Sequence, residues 1–145
     1  YKSKTNTPFI DFAKHKFHKY QKYWEPIKPT NNTLIIKKNS FYILKSKEKI
    51  CIPPNLAGEM IPYDTGIGDF RVHYAGFFDP GFGFSKGAFA VLEVKTHEVS
   101  FIIEDGQTIA RIQYEKLNKS SSMLYGKKIN SNYQNQKLAL SKHFI

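Results

Sequence analysis

From residue 33 onward the chain is a series of short apolar runs, each closed by turn chemistry, and that texture excludes most folds. Leu34–Ile36, Phe41–Leu44, Ile50–Ile52, Ala57–Ile61, Phe70–Tyr74, Ala88–Val94, Val99–Ile103 and Thr108–Tyr114 all read as strands. Between them stand Pro53-Pro54, Tyr63-Asp64-Thr65-Gly66, Asp79-Pro80-Gly81, Glu104-Asp105-Gly106 and Asn118-Lys119-Ser120. In each, Gly supplies a positive φ, Pro fixes φ, or a small polar side chain closes the turn. Short strands at such spacing predict an antiparallel sandwich, jelly roll or distorted barrel. At 145 residues the chain has the size of one domain, and 12 Phe, 9 Tyr and 1 Trp are enough to fill its core. No internal repeat interrupts the pattern.

The first thirty residues read differently. Thr7-Pro8 resembles an N-cap followed by proline at the first helical position. Phe9, Ala13, Phe17, Tyr20 and Trp24 recur at three- and four-residue spacing, with Phe12 and Tyr23 widening the stripe and Lys14, Lys16, Lys19 and Lys22 opposite. Glu25-Pro26 would stop such a helix. The expectation is a helix over residues 8–24 that links residues 29–145 to a preceding domain, its aromatic stripe packed on a neighbour. A basic amphipathic helix for a membrane or nucleic acid is the alternative. The last stretch, residues 124–145, is polar and Asn/Gln-rich. It reads either as an arm laid over the body or as a frayed end.

Charge divides along the same lines. Residues 1–49 carry twelve Lys and three acids, residues 50–117 five Lys+Arg and nine acids, and residues 118–145 five Lys and no acid. The formal net charge of +10 therefore sits on two flanks of an acidic body. A nucleic-acid binder is expected to carry its basic stripe on the folded body, and to use Arg where a planar fork is needed. Here only Arg71 and Arg111 are arginines. Solvation is the better reading of the charge.

Several chemistries are excluded outright. The sequence has no GxxxxGK[ST] phosphate loop, no GxSxG elbow and no HExxH zinc helix. A single cysteine, Cys51, rules out an internal disulfide and the zinc-deaminase signature, and suits a reducing compartment, hence the cytoplasm. No apolar run approaches the roughly 20 residues of a spanning helix, and no leader-like segment opens the chain. The start at Tyr1 suggests a piece of something longer. Of the five histidines only His15 and His18 are close in sequence, and that pair reads as a solvated face.

One dense segment remains, Arg71-Val-His-Tyr-Ala-Gly-Phe-Phe-Asp-Pro-Gly-Phe-Gly83 followed by Ala90-Val-Leu-Glu-Val94. A strand enters a sharp turn, and a second strand returns with one carboxylate. By alternation Leu92 and Val94 share one face, Val91 and Glu93 the other. If the second face lines a pocket, Glu93 is a desolvated carboxylate suited to moving protons. If it faces solvent, Glu93 is an ordinary strand glutamate. Asp79 either shapes the turn or meets a ligand. Gly76 and Gly83 mark close backbone approach, to a ligand or to another strand. Arg71 and Arg111 suit either an anionic ligand or ion pairs with the acidic body.

These motifs resemble those of the deoxycytidine triphosphate deaminases, relatives of the trimeric dUTPases. The resemblance rests on Ala75-Gly-Phe-Phe-Asp-Pro-Gly-Phe82 with Ala90-Val-Leu-Glu-Val94, on Gly106-Gln107 leading into Ile112-Gln-Tyr-Glu115, and on Leu124-Tyr-Gly126 with Ser131-Asn-Tyr-Gln-Asn-Gln136. Tyr23-Trp-Glu-Pro26, Phe41-Tyr-Ile-Leu44, Arg71-Val-His-Tyr74 and Leu140-Ser-Lys-His-Phe144 resemble more narrowly the second half of the long bacterial form, which carries two deaminase-like halves. It covers roughly residues 20–145.

The resemblance implies a mostly-β, dUTPase-like distorted barrel or jelly roll with a C-terminal arm. It implies hydrolytic deamination of dCTP to dUTP. Glu93 would be the catalytic proton shuttle, and the carbonyl of Ala75 would help hold the water. Val91 and Leu92 would contact the base through their backbones, and Asp79 would recognise the deoxyribose. Tyr125 and Gln136 would be arm residues closing over sugar and phosphates. No catalytic metal is implied; Mg²⁺ accompanies the triphosphate. The family's Gly-Arg-Ser-Ser-x-x-Arg phosphate loop is replaced here by Ile61-Pro-Tyr-Asp-Thr-Gly-Ile-Gly-Asp69, and Asn132 stands where the arm lysine is expected. The resemblance therefore also implies a partner: a first half-domain, or further copies in a trimer-like assembly, to supply phosphate binding. The other readings are dUTP hydrolysis through Asp79, a non-catalytic structural half, and, more remotely, a nucleic-acid-binding module.

Overall fold

The computed structural model describes residues 1–62, 71–73, 76–84, 86–126, 138 and 140–145, with the side chains of residues 62 and 71–73 outside that description. Ten strands run in the order β1 (Lys2–Ser3), β2 (Trp24–Glu25), β3 (Thr33–Ile36), β4 (Phe41–Ile50), β5 (Leu56–Pro62), β6 (Arg71–His73), β7 (Phe77–Phe78), β8 (Ala88–Lys95), β9 (Phe101–Glu104) and β10 (Ala110–Lys116). They form a five-stranded sheet in the order β2-β1-β4-β8-β6, a three-stranded sheet β10-β5-β7 and a two-stranded sheet β3-β9. Every ladder is antiparallel. The mostly-β expectation holds, while no closed barrel forms among the described residues.

Alternation explains why the layers meet. Along β8 the residues Ala88, Ala90, Leu92 and Val94 are buried and those between them are not. They pack with Ile36, Tyr42, Ile50, Ile52, Met60, Phe78 and Phe82 in one core between the sheets. Gly76 is a close-approach residue of the second kind: a Cβ there would meet the Met60 Cβ at 2.5 Å, and the Met60 N–H donates to the Gly76 carbonyl at 2.6 Å. Gly83 abuts the Ile50 carbonyl in the same way, with φ at +62°. Ile50 ends β4, and Ile52, expected to continue a strand, instead donates its N–H to the Phe82 carbonyl at 2.9 Å.

The expected helix over residues 8–24 is not there; a three-residue 3-10 turn at Tyr20–Lys22 is the only helical piece of that segment. The reason lies in where its backbone donors go. The N–H groups of Lys16, Phe17, His18 and Tyr20 reach the carbonyls of Lys142, His143, His143 and Ile145 at 2.9–3.1 Å, instead of carbonyls one turn back. Lys16 also takes φ +47°, which a helix does not contain. The aromatic stripe is split accordingly. Tyr23 and Trp24 are buried with Ile43, whereas Phe9, Phe12 and Phe17 remain exposed.

His18 is not on a solvated face either. It is buried, its Nε2 accepts the Asp11 N–H at 3.1 Å, and its Nδ1 meets the Tyr23 hydroxyl at 3.2 Å. The Tyr23 hydroxyl donates on to the Phe9 carbonyl at 3.2 Å, so the buried ring and hydroxyl link Asp11 to Phe9. The C-terminal residues are therefore pinned rather than frayed: Ile145 donates its N–H to the His18 carbonyl at 2.9 Å, and Phe144 packs on the Tyr23 and Trp24 rings.

Candidate active site

Strand β8 carries the candidate carboxylate. It lies inside the five-stranded sheet, paired with β4 over Phe41–Ile50 and with β6 over Arg71–His73. Leu92 and Val94 on either side of Glu93 are buried at 5% and 0% exposure. That burial fixes the strand, so Glu93 projects from a rigid support. Its side chain is exposed on the far face of the sheet, which within the single chain is the solvent-facing alternative. In register Glu93 stands between Ile43 and His73. Ile43 is itself bracketed by Tyr1, whose amino group donates to the Ile43 carbonyl at 2.8 Å and whose carbonyl accepts the Ile43 N–H at 2.9 Å.

Val91, two residues earlier on the same face, is half-buried against the cluster of Tyr23, Trp24 and Ile43. The outer face of β8 thus has a small aromatic wall, built by the two ends of the chain, beside an open carboxylate. Trp24 has its indole N–H buried in that wall without a hydrogen-bond partner among the described residues.

A second group forms at the Asp79 turn. Phe82 donates its N–H to the Asp79 carbonyl at 3.0 Å, and Gly81 with φ +95° donates to the Ile52 carbonyl at 3.0 Å. Positive φ two residues after Asp79 and one after Pro80 is what a Pro-Gly turn requires. The Asp79 residue is exposed. Tyr125 comes to this turn from the far end of the sequence: its N–H donates to the Pro80 carbonyl at 3.0 Å and its ring lies 5.7 Å from that of Phe82. A Cβ on Gly81 would press on Leu124 and the Tyr125 backbone, so the glycine permits this docking.

The predicted residues therefore fall into two sets, Glu93 with Val91 and Leu92 on β8, and Asp79 with Tyr125 at the turn. Ala75 and Gln136 lie outside the described residues, as do residues 63–70 and Asn132. Arg111 is exposed on β10, in register with Ile61. The buried histidines His18 and His143 were missed by sequence reasoning; their only signal was a set of aromatic neighbours in a segment read as helical.

Comparison with known proteins places these features in a family. The family model described as the C-terminal domain of 2'-deoxycytidine 5'-triphosphate deaminase matches residues 1–144. A solved structure of 2'-deoxycytidine 5'-triphosphate deaminase from Agrobacterium tumefaciens superposes with a TM-score of 0.75 at 46% identity, covering 83% of this chain. This chain spans 37% of the length of that one. No curated protein matches by sequence.

Proposed function

The chain belongs to the family of 2'-deoxycytidine 5'-triphosphate deaminase C-terminal domains, and from that premise we propose that it supplies the base-side chemistry for hydrolytic deamination of dCTP to dUTP. The observation that carries this reading is Glu93: in a member of this family, a lone carboxylate projects from a rigid mid-sheet strand on the face away from the core. Such a group serves as base and then acid in one reaction. Glu93 takes a proton from water as the water oxygen bonds to C4 of cytosine. The carboxyl then returns that proton to the amino nitrogen, the C4–N bond breaks, and ammonia leaves. The second water proton ends on N3 as the C4 carbonyl forms.

The remaining parts of the proposal follow the family resemblance. The Ala75 carbonyl helps hold the water, the backbones of Val91 and Leu92 read the base, and Asp79 meets the deoxyribose. Tyr125 and Gln136 cover sugar and phosphates. Mg²⁺ arrives with the triphosphate as part of the substrate. Its ligands are taken to be the phosphates and water.

The exposure of Glu93 bears on assembly. Glu93 is exposed in the single chain, and covering its face would take it out of water. A preceding deaminase-like half, or further copies in a trimer-like arrangement, would provide that cover and the phosphate loop missing at residues 61–69. The same exposure favours a second reading, a structural half with no chemistry of its own. A cytoplasmic location completes the proposal; no helix among the described residues is long and apolar enough to cross a membrane.

The test is ammonia release from dCTP by the longer protein containing this chain, with Glu93→Gln and Glu93→Asp. Loss of activity in Glu93→Gln with partial retention in Glu93→Asp is the expected result. Full activity in Glu93→Gln would leave the structural reading standing.

A further inference from the structure

Strand β4 brings two exposed lysines to the face of β8 that bears Glu93. Lys45 stands in register with Val91 and Lys49 with Phe89, so both share that outward face. Four residues of an unbroken strand would hold them about 13 Å apart. Here Ser46, Lys47 and Glu48 all stand against Ala90 alone, and the register shift closes the span to two residues of β8, about 7 Å. The bulge is pinned: the Ser46 hydroxyl accepts the Ala90 N–H and donates to the Glu48 carbonyl at 2.7 Å.

The two ammonium groups then converge on one ring, 4.2 Å and 5.6 Å from the centre of Phe89. Gly87, at φ +71°, lets the Lys49 stem lie across the turn before β8; a Cβ there would meet the Lys49 Cβ at 2.7 Å. Lys47, inside the bulge, has its charge matched by Asp105 at 2.7 Å. Lys45 and Lys49 make no ion pair among the described residues. Like charges drawn together repel, so the fold gathers two cations that an anion would complete.

Position selects the anion. From Phe89 to Glu93 is four residues of β8, about 13 Å along one outward face with Val91 between them. That span suits an extended deoxynucleoside triphosphate with its cytosine at Glu93 and its phosphates at the lysines. Lysine serves phosphate oxygens as a point charge, with no fork geometry to satisfy. The turn that holds Asp79 reaches the same end of the strand, since Gly83 lies against Ala88, the first residue of β8.

We infer that Lys45 and Lys49 bind the phosphates of the nucleotide, as this chain's own contribution to a phosphate side whose loop is missing at residues 61–69. The inference rests on the deaminase reading of Glu93, and its test separates the two.

The longer protein containing this chain is titrated with dCTP by calorimetry, and ammonia release is followed in parallel. Lys45→Gln combined with Lys49→Gln should weaken dCTP binding and raise KM about tenfold, with kcat kept within about threefold. Lys37→Gln combined with Lys38→Gln removes the same charge at the other end of β8, beside Thr96 and Ser100, and should leave dCTP affinity within about twofold. Glu93→Gln should do the reverse of the Lys45 and Lys49 pair, lowering kcat while dCTP still binds. Unchanged dCTP affinity in the Lys45 and Lys49 variant, equal weakening in the Lys37 and Lys38 control, or no saturable dCTP binding by the parent would each overturn the inference. Binding is read without turnover, so ammonia release that survives Glu93→Gln would sink the deaminase reading alone.

Discussion

The two faces of β8 have opposite characters. The inward face, Ala88, Ala90, Leu92 and Val94, is 0–5% exposed and finds its partners within the chain. The outward face, Phe89, Val91, Glu93 and Lys95, is half-buried or exposed, and Val91 on it is sheltered by the chain's own two ends. One strand thus supplies both the rigidity of the fold and an unfinished surface. The inward face is completed within the chain, whereas the chemistry proposed for Glu93 would be completed by something laid over the outward one.

Substitutions on the two faces should separate these properties. Glu93→Gln is expected to reduce deamination by about 10²–10⁴-fold in the longer protein. It should leave the urea midpoint of this chain unchanged, since exposed positions rarely matter to folding. The reverse holds one residue away: Leu92→Ala should cost about 2–5 kcal/mol in urea unfolding. If Leu92→Ala proved as mild as Glu93→Gln in that assay, the contrast between the faces would collapse.

Finer substitutions sharpen the picture. The β4–β8 register shifts between Lys45 and Lys49, where the Ala90 N–H donates to the Ser46 hydroxyl at 2.9 Å; Ser46→Ala strands that N–H and should destabilise by about 1 kcal/mol, read from the same melts. Trp24→Phe removes a buried donor that has no acceptor among the described residues, so stability should hold or rise slightly. A clear loss there would mean that the indole has a hydrogen bond. The smallest effect belongs to Lys47. Its hydrogen bond and charge interaction with Asp105 hold the ammonium above the ordinary 10.5. A raised folded pKa stabilises below the unfolded value and fades as pH climbs through the folded one. Lys47→Ala should therefore be indistinguishable from the parent in thermal melts between neutral pH and about pH 9, because a fully solvated pair contributes little.

Much of this was legible in the sequence, and the misses have physical causes. The runs at Ala57–Ile61 and Ala88–Val94 are short, apolar and closed by turn residues, so strand identity was legible, and period two put Leu92 and Val94 on one face and Val91 and Glu93 on the other; which face turned inward was not. Asp79-Pro80-Gly81 stated its own turn. Residues 8–24 misled because their aromatic spacing fits a helix, yet their backbone donors are claimed by residues 142–145, over a hundred positions away in sequence. Local pattern carries no word of such a partner. The same limit hid the burial of His18.

The most direct test of the open outer face is ammonia release from dCTP by residues 1–145 alone, set beside the same chain mixed with, or joined to, the remaining deaminase-like half. Activity should be near background for the isolated chain and should appear with the companion present, vanishing again with Glu93→Gln. Robust deamination by residues 1–145 alone would contradict the claim that the Glu93 face is completed from outside.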